Sequence, residues 1–252
     1  MASMIMEGAG MMTAGGRRSA PAPVIPPMIR NSALMEDGGV RVLEGLIDPP
    51  TRKALLAEAL RLLPRAVASV VPASDHEEVR GGTPARSFLN TAGGELQDAL
   101  YRTPQLLECL RRMTCSSLVP TGALGTYSYY VRPGDFLALH RDIVTCDVAV
   151  ITCLHDAGTG RGCDGGKLCL YPGRLFEPLS AIRRSLEVGA LRLRLLPGQT
   201  IVMFGGIVPH ALLPVDAGQA RIVSVLCYRA EQPGALPPHT RPFEESPFGD
   251  FS

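Results

Sequence analysis

In two stretches, over residues 48–64 and about 95–113, the apolar positions recur at helical spacing. Asp48-Pro49-Pro50 offers a capping side chain followed by prolines that a first helical turn tolerates. Leu55, Leu56, Leu60 and Leu63 then recur at helical spacing, and Pro64 stops the run. A second helical region covers about 95–113, with Leu106, Leu107, Leu110 and Met113 on one face and an interruption at Thr103-Pro104. From Gly122 the helical period gives way to short apolar runs separated by Gly, Pro and Asp. These predict strands near 123–131, 135–140, 146–154, 166–171, 190–195, 200–204, 209–213 and 221–229, with a short helix within 180–187. About eight short strands without a long intervening helix predict a β-sandwich or closed barrel flanked by N-terminal helices.

The two ends carry no such period. Residues 1–28, rich in Gly, Pro, Met and Ala, are expected to be disordered. Residues 231–252 are Pro-rich but hold Phe243, Phe248 and Phe251, and read as an irregular tail able to fold back on the body. One domain over 29–230 is therefore expected, with helical support over 45–115 and a β core over 122–230.

Composition narrows the function by exclusion. Hydrophobic residues make up 46% of the 252, enough for a sizeable core. A net charge of +1 without a basic run does not suit a phosphate backbone, so no nucleic-acid partner is expected. No apolar run reaches the roughly 18 residues that span a bilayer, and no membrane partner is expected. The first residues lack the apolar stretch of about 7–15 residues that marks a signal peptide. The seven cysteines form no C-x-x-C and mostly sit in apolar runs, which predicts free thiols in a reducing cytoplasm. Cys163 and Cys169 are the pair that oxidation could join.

Three short motifs invite a chemical reading. His140-Arg141-Asp142 has the letters of a kinase catalytic loop, but Asp147 stands where that loop needs Asn, and D-F-G and the strand lysine are missing. GRGCDG at 160–165 matches a dinucleotide fingerprint but leads into KLCLYP, an alternating run, and so reads as a strand-to-strand loop. His155-Asp156 lacks the helical setting of metal-dependent phosphohydrolases.

His140 and Asp142 have a second meaning. On an extended segment, residues two apart face the same way with Cα atoms about 6.5 Å apart, so both can reach one cation. His210, which opens an apolar strand after Gly205-Gly206, is the natural third ligand. Two histidines and a carboxylate on one face of an octahedron leave three positions open, as in non-haem Fe(II) oxygenases. Arg221 opens the otherwise apolar strand RIVSVLCY. A guanidinium inside a barrel needs an anion, and a carboxylate matches its fork. The alternative is a strand-end arginine meeting solvent or Asp216.

Taken in order, YYVRPGDFLALHRD, CDVAVITCLHD, DGGKLCLYP, LLPGQTIVMFGGIVPHALLPV and GQARIVSVLCYR resemble the iron- and 2-oxoglutarate-dependent dioxygenase superfamily, especially its prolyl-hydroxylase-like branch. The resemblance covers about residues 122–230; one departure is the two residues between Gly218 and Arg221 where one is commonest. It implies a double-stranded β-helix, a jelly-roll or cupin-like core, with Fe(II) on His140, Asp142 and His210. It also implies 2-oxoglutarate as co-substrate with its distal carboxylate on Arg221, O2 as oxidant and ascorbate as an optional reductant. Tyr127, Tyr129, Tyr130 and Thr152 are then candidates for further bonds to the co-substrate, and Arg132, Arg141 and Arg86 for an acidic group of the substrate. The implied reaction is hydroxylation, or another oxidation, of an unactivated C–H with release of succinate and CO2. Asp142 argues against halogenation, because halogenases of the group lack that carboxylate. A small molecule such as an amino acid or specialised metabolite is the expected substrate. A peptidyl or prolyl residue of a protein, a catalytically silent binding barrel and a zinc hydrolase are the alternatives. The sequence does not indicate an oligomeric state.

Overall fold

The computed structural model describes residues 27–72, 83–122, 124–158 and 164–231. Two single-turn helices, α1 (Pro27–Arg30) and α2 (Ala33–Glu36), and strand β1 (Val40–Glu44) come first. Helix α3 (Pro49–Leu62) starts where the cap predicts: the Asp48 carboxylate accepts from the Thr51 amide at 2.8 Å. Pro64 ends it in a 3₁₀ turn. The second helical region divides at Thr103-Pro104 into α4 (Glu95–Tyr101) and α5 (Pro104–Thr114).

Between the helices lie two strands that the helical reading of 45–115 does not contain, β2 (Val67–Val71) and β3 (Arg86–Ala92). The face of β3 shared with the barrel interior carries Arg86, Phe88 and Asn90. Two of these three are polar, which hides the alternation that a half-buried strand usually displays. Strand β4 (Leu118–Pro120) follows α5. Then come β5 (Thr126–Tyr130), β6 (Phe136–His140), β7 (Val148–Ala157), β8 (Leu168–Leu170), β9 (Leu191–Leu193), β10 (Gln199–Met203), β11 (His210–Leu212) and β12 (Ala220–Ala230). A short helix, α6 (Leu179–Arg183), sits between β8 and β9.

The sheet order is β1-β10-β7-β12-β5-β3-β6-β11-β8-β9, with every pairing antiparallel. Strand β3 pairs with β5 at one end and with β6 at the other, so it joins two layers along one edge. From β5 onward the chain passes back and forth between them: β5, β7, β10 and β12 in one, β6, β8, β9 and β11 in the other. That alternation is a double-stranded β-helix, the architecture the resemblance implies. Among the described residues no helix is long and apolar enough to cross a membrane.

Helix α3 covers the outer face of the larger layer. Leu55, Ala59 and Leu62 pack against Tyr127, Tyr129, Leu154 and Ile222. Each buried leucine there contributes about 1.5–3 kcal/mol relative to exposure. Glu58, on the same helix turn, is buried and caps the next helix. It accepts from the amides of Gly94, Leu96 and Gln97 at 3.3, 3.0 and 3.1 Å and from the Tyr127 hydroxyl at 2.8 Å. Burial works to raise this carboxyl's pKa, but the donated hydrogen bonds outweigh it and hold the group below its usual value.

The cysteines depart from expectation. Cys146 and Cys227 form a disulfide with Cα atoms 5.0 Å apart, although 81 positions separate them in sequence. Asp147 brings them together: its amide donates to the Tyr228 carbonyl at 2.9 Å, and its carboxylate accepts from the Ala230 amide at 2.9 Å. Sequence spacing carries no trace of that register. Cys109, Cys115, Cys153 and Cys169 are free thiols, and Cys163 lies outside the described residues, as do the two chain ends and most of the 160–165 loop.

Candidate metal centre and anion pocket

His140 ends β6 and His210 begins β11, and the two are direct cross-strand partners. Opposed residues of an antiparallel pair sit close together, and here the ring centroids are 4.2 Å apart. Each ring is oriented by its own strand: Nδ1 of His140 lies 2.8 Å from the Ala138 carbonyl, and Nδ1 of His210 lies 2.9 Å from the Val208 carbonyl. A carbonyl only accepts, so both Nδ1 atoms carry hydrogen, and in the neutral ring Nε2 is left with a lone pair.

Asp142 lies just past the end of β6, its amide bonded to the Gly205 carbonyl at 2.8 Å. Its Oδ1 is 3.5 Å from His140 Nε2 and 3.6 Å from His210 Nε2. The three ligand atoms all lie within 4.8 Å of one another. Two atoms bound at right angles to one ion about 2.1 Å away are separated by about 3 Å. The cluster therefore fits a single cation after a small contraction. Gly205 is part of it: a β-carbon there would collide with Asp142 Oδ2.

The three side chains of the cluster shift one another's titration. Burial lowers the His140 pKa, and the neighbouring His210 lowers it further. For His210 burial also opposes protonation, but the charge of Asp142 outweighs it and the pKa is raised. Burial alone would raise the Asp142 carboxyl, yet the two imidazoles hold it far below the carboxylate range.

Arg221 lies on β12 opposite Tyr130 of β5 and opposite Asp156 of β7. Its side chain is 1% exposed. Nη1 donates to the Leu195 carbonyl at 3.3 Å and lies 3.7 Å from Asp156 Oδ2. The Nε–Nη2 edge makes no hydrogen bond among the described residues, and Nε is buried without a partner. The protein carboxylate beside Arg221 is thus Asp156, and not the exposed Asp216, whose carboxylate accepts from the Gln219 side chain at 3.4 Å. Asp156 itself is gripped in bidentate fashion by Arg194, at 2.8 and 3.1 Å. The Tyr130 hydroxyl makes no hydrogen bond among the described residues either. Burial keeps it protonated against the opposing pull of Arg221 and Arg86. An unpaired guanidinium edge and a phenol on adjacent strands form a receptor for a carboxylate.

The other expected residues divide. Tyr127 and Tyr129 point away from this interior, their hydroxyls spent on Glu58 and on the Ala59 carbonyl of α3 at 2.8 and 2.7 Å. Thr152 shares their side: it is opposite Ser224, which accepts from Gln97 of α4, and its hydroxyl meets Thr200 at 2.9 Å. The period of two separates these residues from Tyr130, so the co-substrate roles expected of them do not fit the structure. Arg132 is paired with Asp135 at 3.0 Å. Arg141 is buried and donates to the Ile207, Leu175 and Glu177 carbonyls, all at 2.9 Å, which makes it a brace for the loops around the histidines. Arg86 lies on the Tyr130 face of β3, with Nε donating to Ser69 Oγ at 2.7 Å. By sequence, Gly205 reads only as a turn residue and Asp156 only as part of a dismissed His-Asp motif, and Arg194 is not named. Only the apolar strand around Asp156 hinted that it had a buried partner.

No protein-family model matches the sequence, and no curated protein matches it. Solved structures do match. A prolyl-4-hydroxylase from Pseudomonas putida superposes with a TM-score of 0.53 at 18% identity, over 79% of this chain and 96% of that one. The non-haem α-ketoglutarate-dependent epimerase SnoN of nogalamycin biosynthesis gives 0.62 at 16% identity, over 81% and 80%. HygX from Streptomyces hygroscopicus, with nickel and 2-oxoglutarate bound, gives 0.57 at 13%, over 80% and 87%. With this topology and these likenesses, the chain has the double-stranded β-helix fold of the iron- and 2-oxoglutarate-dependent oxygenases.

Proposed function

We propose that this protein is a non-haem Fe(II)- and 2-oxoglutarate-dependent oxygenase that oxidises an unactivated C–H of a small molecule, such as an amino acid or specialised metabolite. The observation that carries the reading is the convergence of His140, Asp142 and His210 in a fold that also buries an unpaired Arg221 edge. Fe(II), when bound, supplies the redox chemistry that couples decarboxylation of a 2-oxo acid to oxidation of a C–H bond, and three protein ligands leave it three open positions.

The chain's own residues do the rest. His140 and His210 present Nε2 in fixed orientations because their Nδ1 atoms are tied to backbone carbonyls. Asp142 offsets part of the metal's charge. Arg221 and Tyr130 receive the distal carboxylate of 2-oxoglutarate, where burial excludes competing water and strengthens the pairing. Arg86, close to Tyr130, is the one of the three expected substrate cations that shares this interior. Neighbours in the fold include SnoN in complex with nogalamycin RO and a prolyl hydroxylase in complex with a peptide fragment, so both substrate sizes occur on this scaffold.

The test is to load the protein anaerobically with Fe(II) and 2-oxoglutarate, then admit air over amino acids, specialised metabolites and proline-containing peptides while following succinate. Succinate formation stoichiometric with an oxidised small molecule supports the reading. Turnover confined to peptides would shift it to a peptidyl hydroxylase. A metal-loaded protein that never forms succinate, yet hydrolyses substrates with zinc, would refute it.

A further inference from the structure

A buried arginine is costly unless an anion compensates it. Beside β7 the buried Arg221 and the part-buried Arg194 flank one carboxylate, Asp156. Asp156 is 5% exposed and cannot serve both fully. Its two oxygens are taken in parallel by Arg194, Nε to Oδ2 at 2.8 Å and Nη2 to Oδ1 at 3.1 Å. Arg221, its direct neighbour across the β7–β12 ladder, is left 3.7 Å away, beyond hydrogen-bond reach. Arg194 is itself anchored, since its Nη1 donates to the Gly165 carbonyl at 3.0 Å.

We infer that Arg194 is a positioning residue that keeps Asp156 off Arg221 and so keeps the Arg221 Nε–Nη2 edge available to the co-substrate. The inference rests on the proposed use of Arg221 for 2-oxoglutarate. The charge count fits it: two guanidinium groups and one carboxylate leave a net single positive charge, which one distal carboxylate cancels. Without Arg194, the nearest cation for Asp156 among the described residues is Arg221. A small turn of either side chain would close an internal ion pair in low dielectric, and the co-substrate would have to break it. Arg194 thus acts on affinity through another residue, without touching the ligand.

The test is calorimetric titration of 2-oxoglutarate into the anaerobic Fe(II)-loaded protein, comparing wild type, Arg194→Gln and the double variant Arg194→Gln/Asp156→Asn. The expected result is at least tenfold weaker binding for Arg194→Gln. The double variant is expected to recover to within about threefold of wild type, because a neutral amide does not compete for Arg221. In turnover the single variant raises KM for 2-oxoglutarate and leaves kcat nearly unchanged. Binding by Arg194→Gln as tight as wild type would overturn the inference. So would a folded double variant, verified by its melting temperature, that binds as weakly as the single one or fails to bind; this arm decides even if Arg194→Gln alone does not fold. A wild-type protein that binds metal but shows no heat with 2-oxoglutarate would instead remove the Arg221 assignment itself, and this inference with it.

Discussion

At the scale of residues, the candidate metal centre is two imidazoles fixed by backbone carbonyls and one carboxylate whose charge raises the pKa of His210. The raised His210 pKa makes a proton the competitor of the metal. A divalent ion must displace that proton, so affinity should fall by about tenfold per pH unit as pH drops below the His210 value and level off above it. Calorimetric titration of the metal-free protein with Mn(II) or Fe(II) between pH 5.5 and 8, in buffers of different ionisation enthalpy, reads both the slope and the released proton. A pH-independent affinity would contradict it. Gly205→Ala should weaken the same affinity by at least tenfold, because the new methyl occupies the place of Asp142 Oδ2. His140, Asp142 and His210 were legible in sequence since their chemistry depends on residue type and on a spacing of two. Asp156 and Arg194 were not, because their partnership arises from which strand lies beside which. Tyr130 was legible only as one of three tyrosines, and strand parity, set by the fold, separates it from Tyr127 and Tyr129.

Among the elements, α3 does two jobs, covering the outer face of β7 and β12 and capping α4 through Glu58. Glu58→Ala would strip three backbone amides and the Tyr127 hydroxyl of their acceptor, a loss of about 3 kcal/mol or more. Denaturant titration followed by far-UV circular dichroism measures it, and a change within 0.5 kcal/mol of zero would show that water replaces the carboxylate. The folded pKa of Glu58 is depressed, so its stabilising effect is present above the unfolded carboxyl value of about 4.3 and is lost as pH falls through the lower folded value. The wild-type minus Glu58→Gln stability difference should shrink in that window. Helix α3 was readable from its cap and its terminal proline, though of the expected leucines Leu60 is half exposed while Leu62 joins the core. The eight strands of the β core were readable from their alternation and turn residues. Strands β2 and β3 were not: β2 is mostly exposed, and β3 turns Arg86 and Asn90 inward beside Phe88, so neither shows an apolar alternation.

For the molecule as a whole, one sheet folded into two layers brings residues from opposite ends of the β core together: His140 to His210, Tyr130 to Arg221 and Cys146 to Cys227. The disulfide closes a loop spanning 81 positions, which corresponds to about 4.5 kcal/mol of denatured-state restriction. Cys146→Ser/Cys227→Ser should therefore melt several degrees lower than the oxidised protein, with reductant lowering the wild type toward the same value; equal melting temperatures would contradict this. The central claim is that the histidine–aspartate cluster and Arg221 serve one ligand, a 2-oxo dicarboxylate bridging metal and guanidinium. Its most direct test is calorimetric binding of 2-oxoglutarate to the protein with and without Fe(II), under nitrogen. The account predicts one molecule bound per chain, abolished by chelating the metal and weakened at least tenfold by Arg221→Ala. Binding that persists without metal, or that Arg221→Ala leaves unchanged, would contradict it.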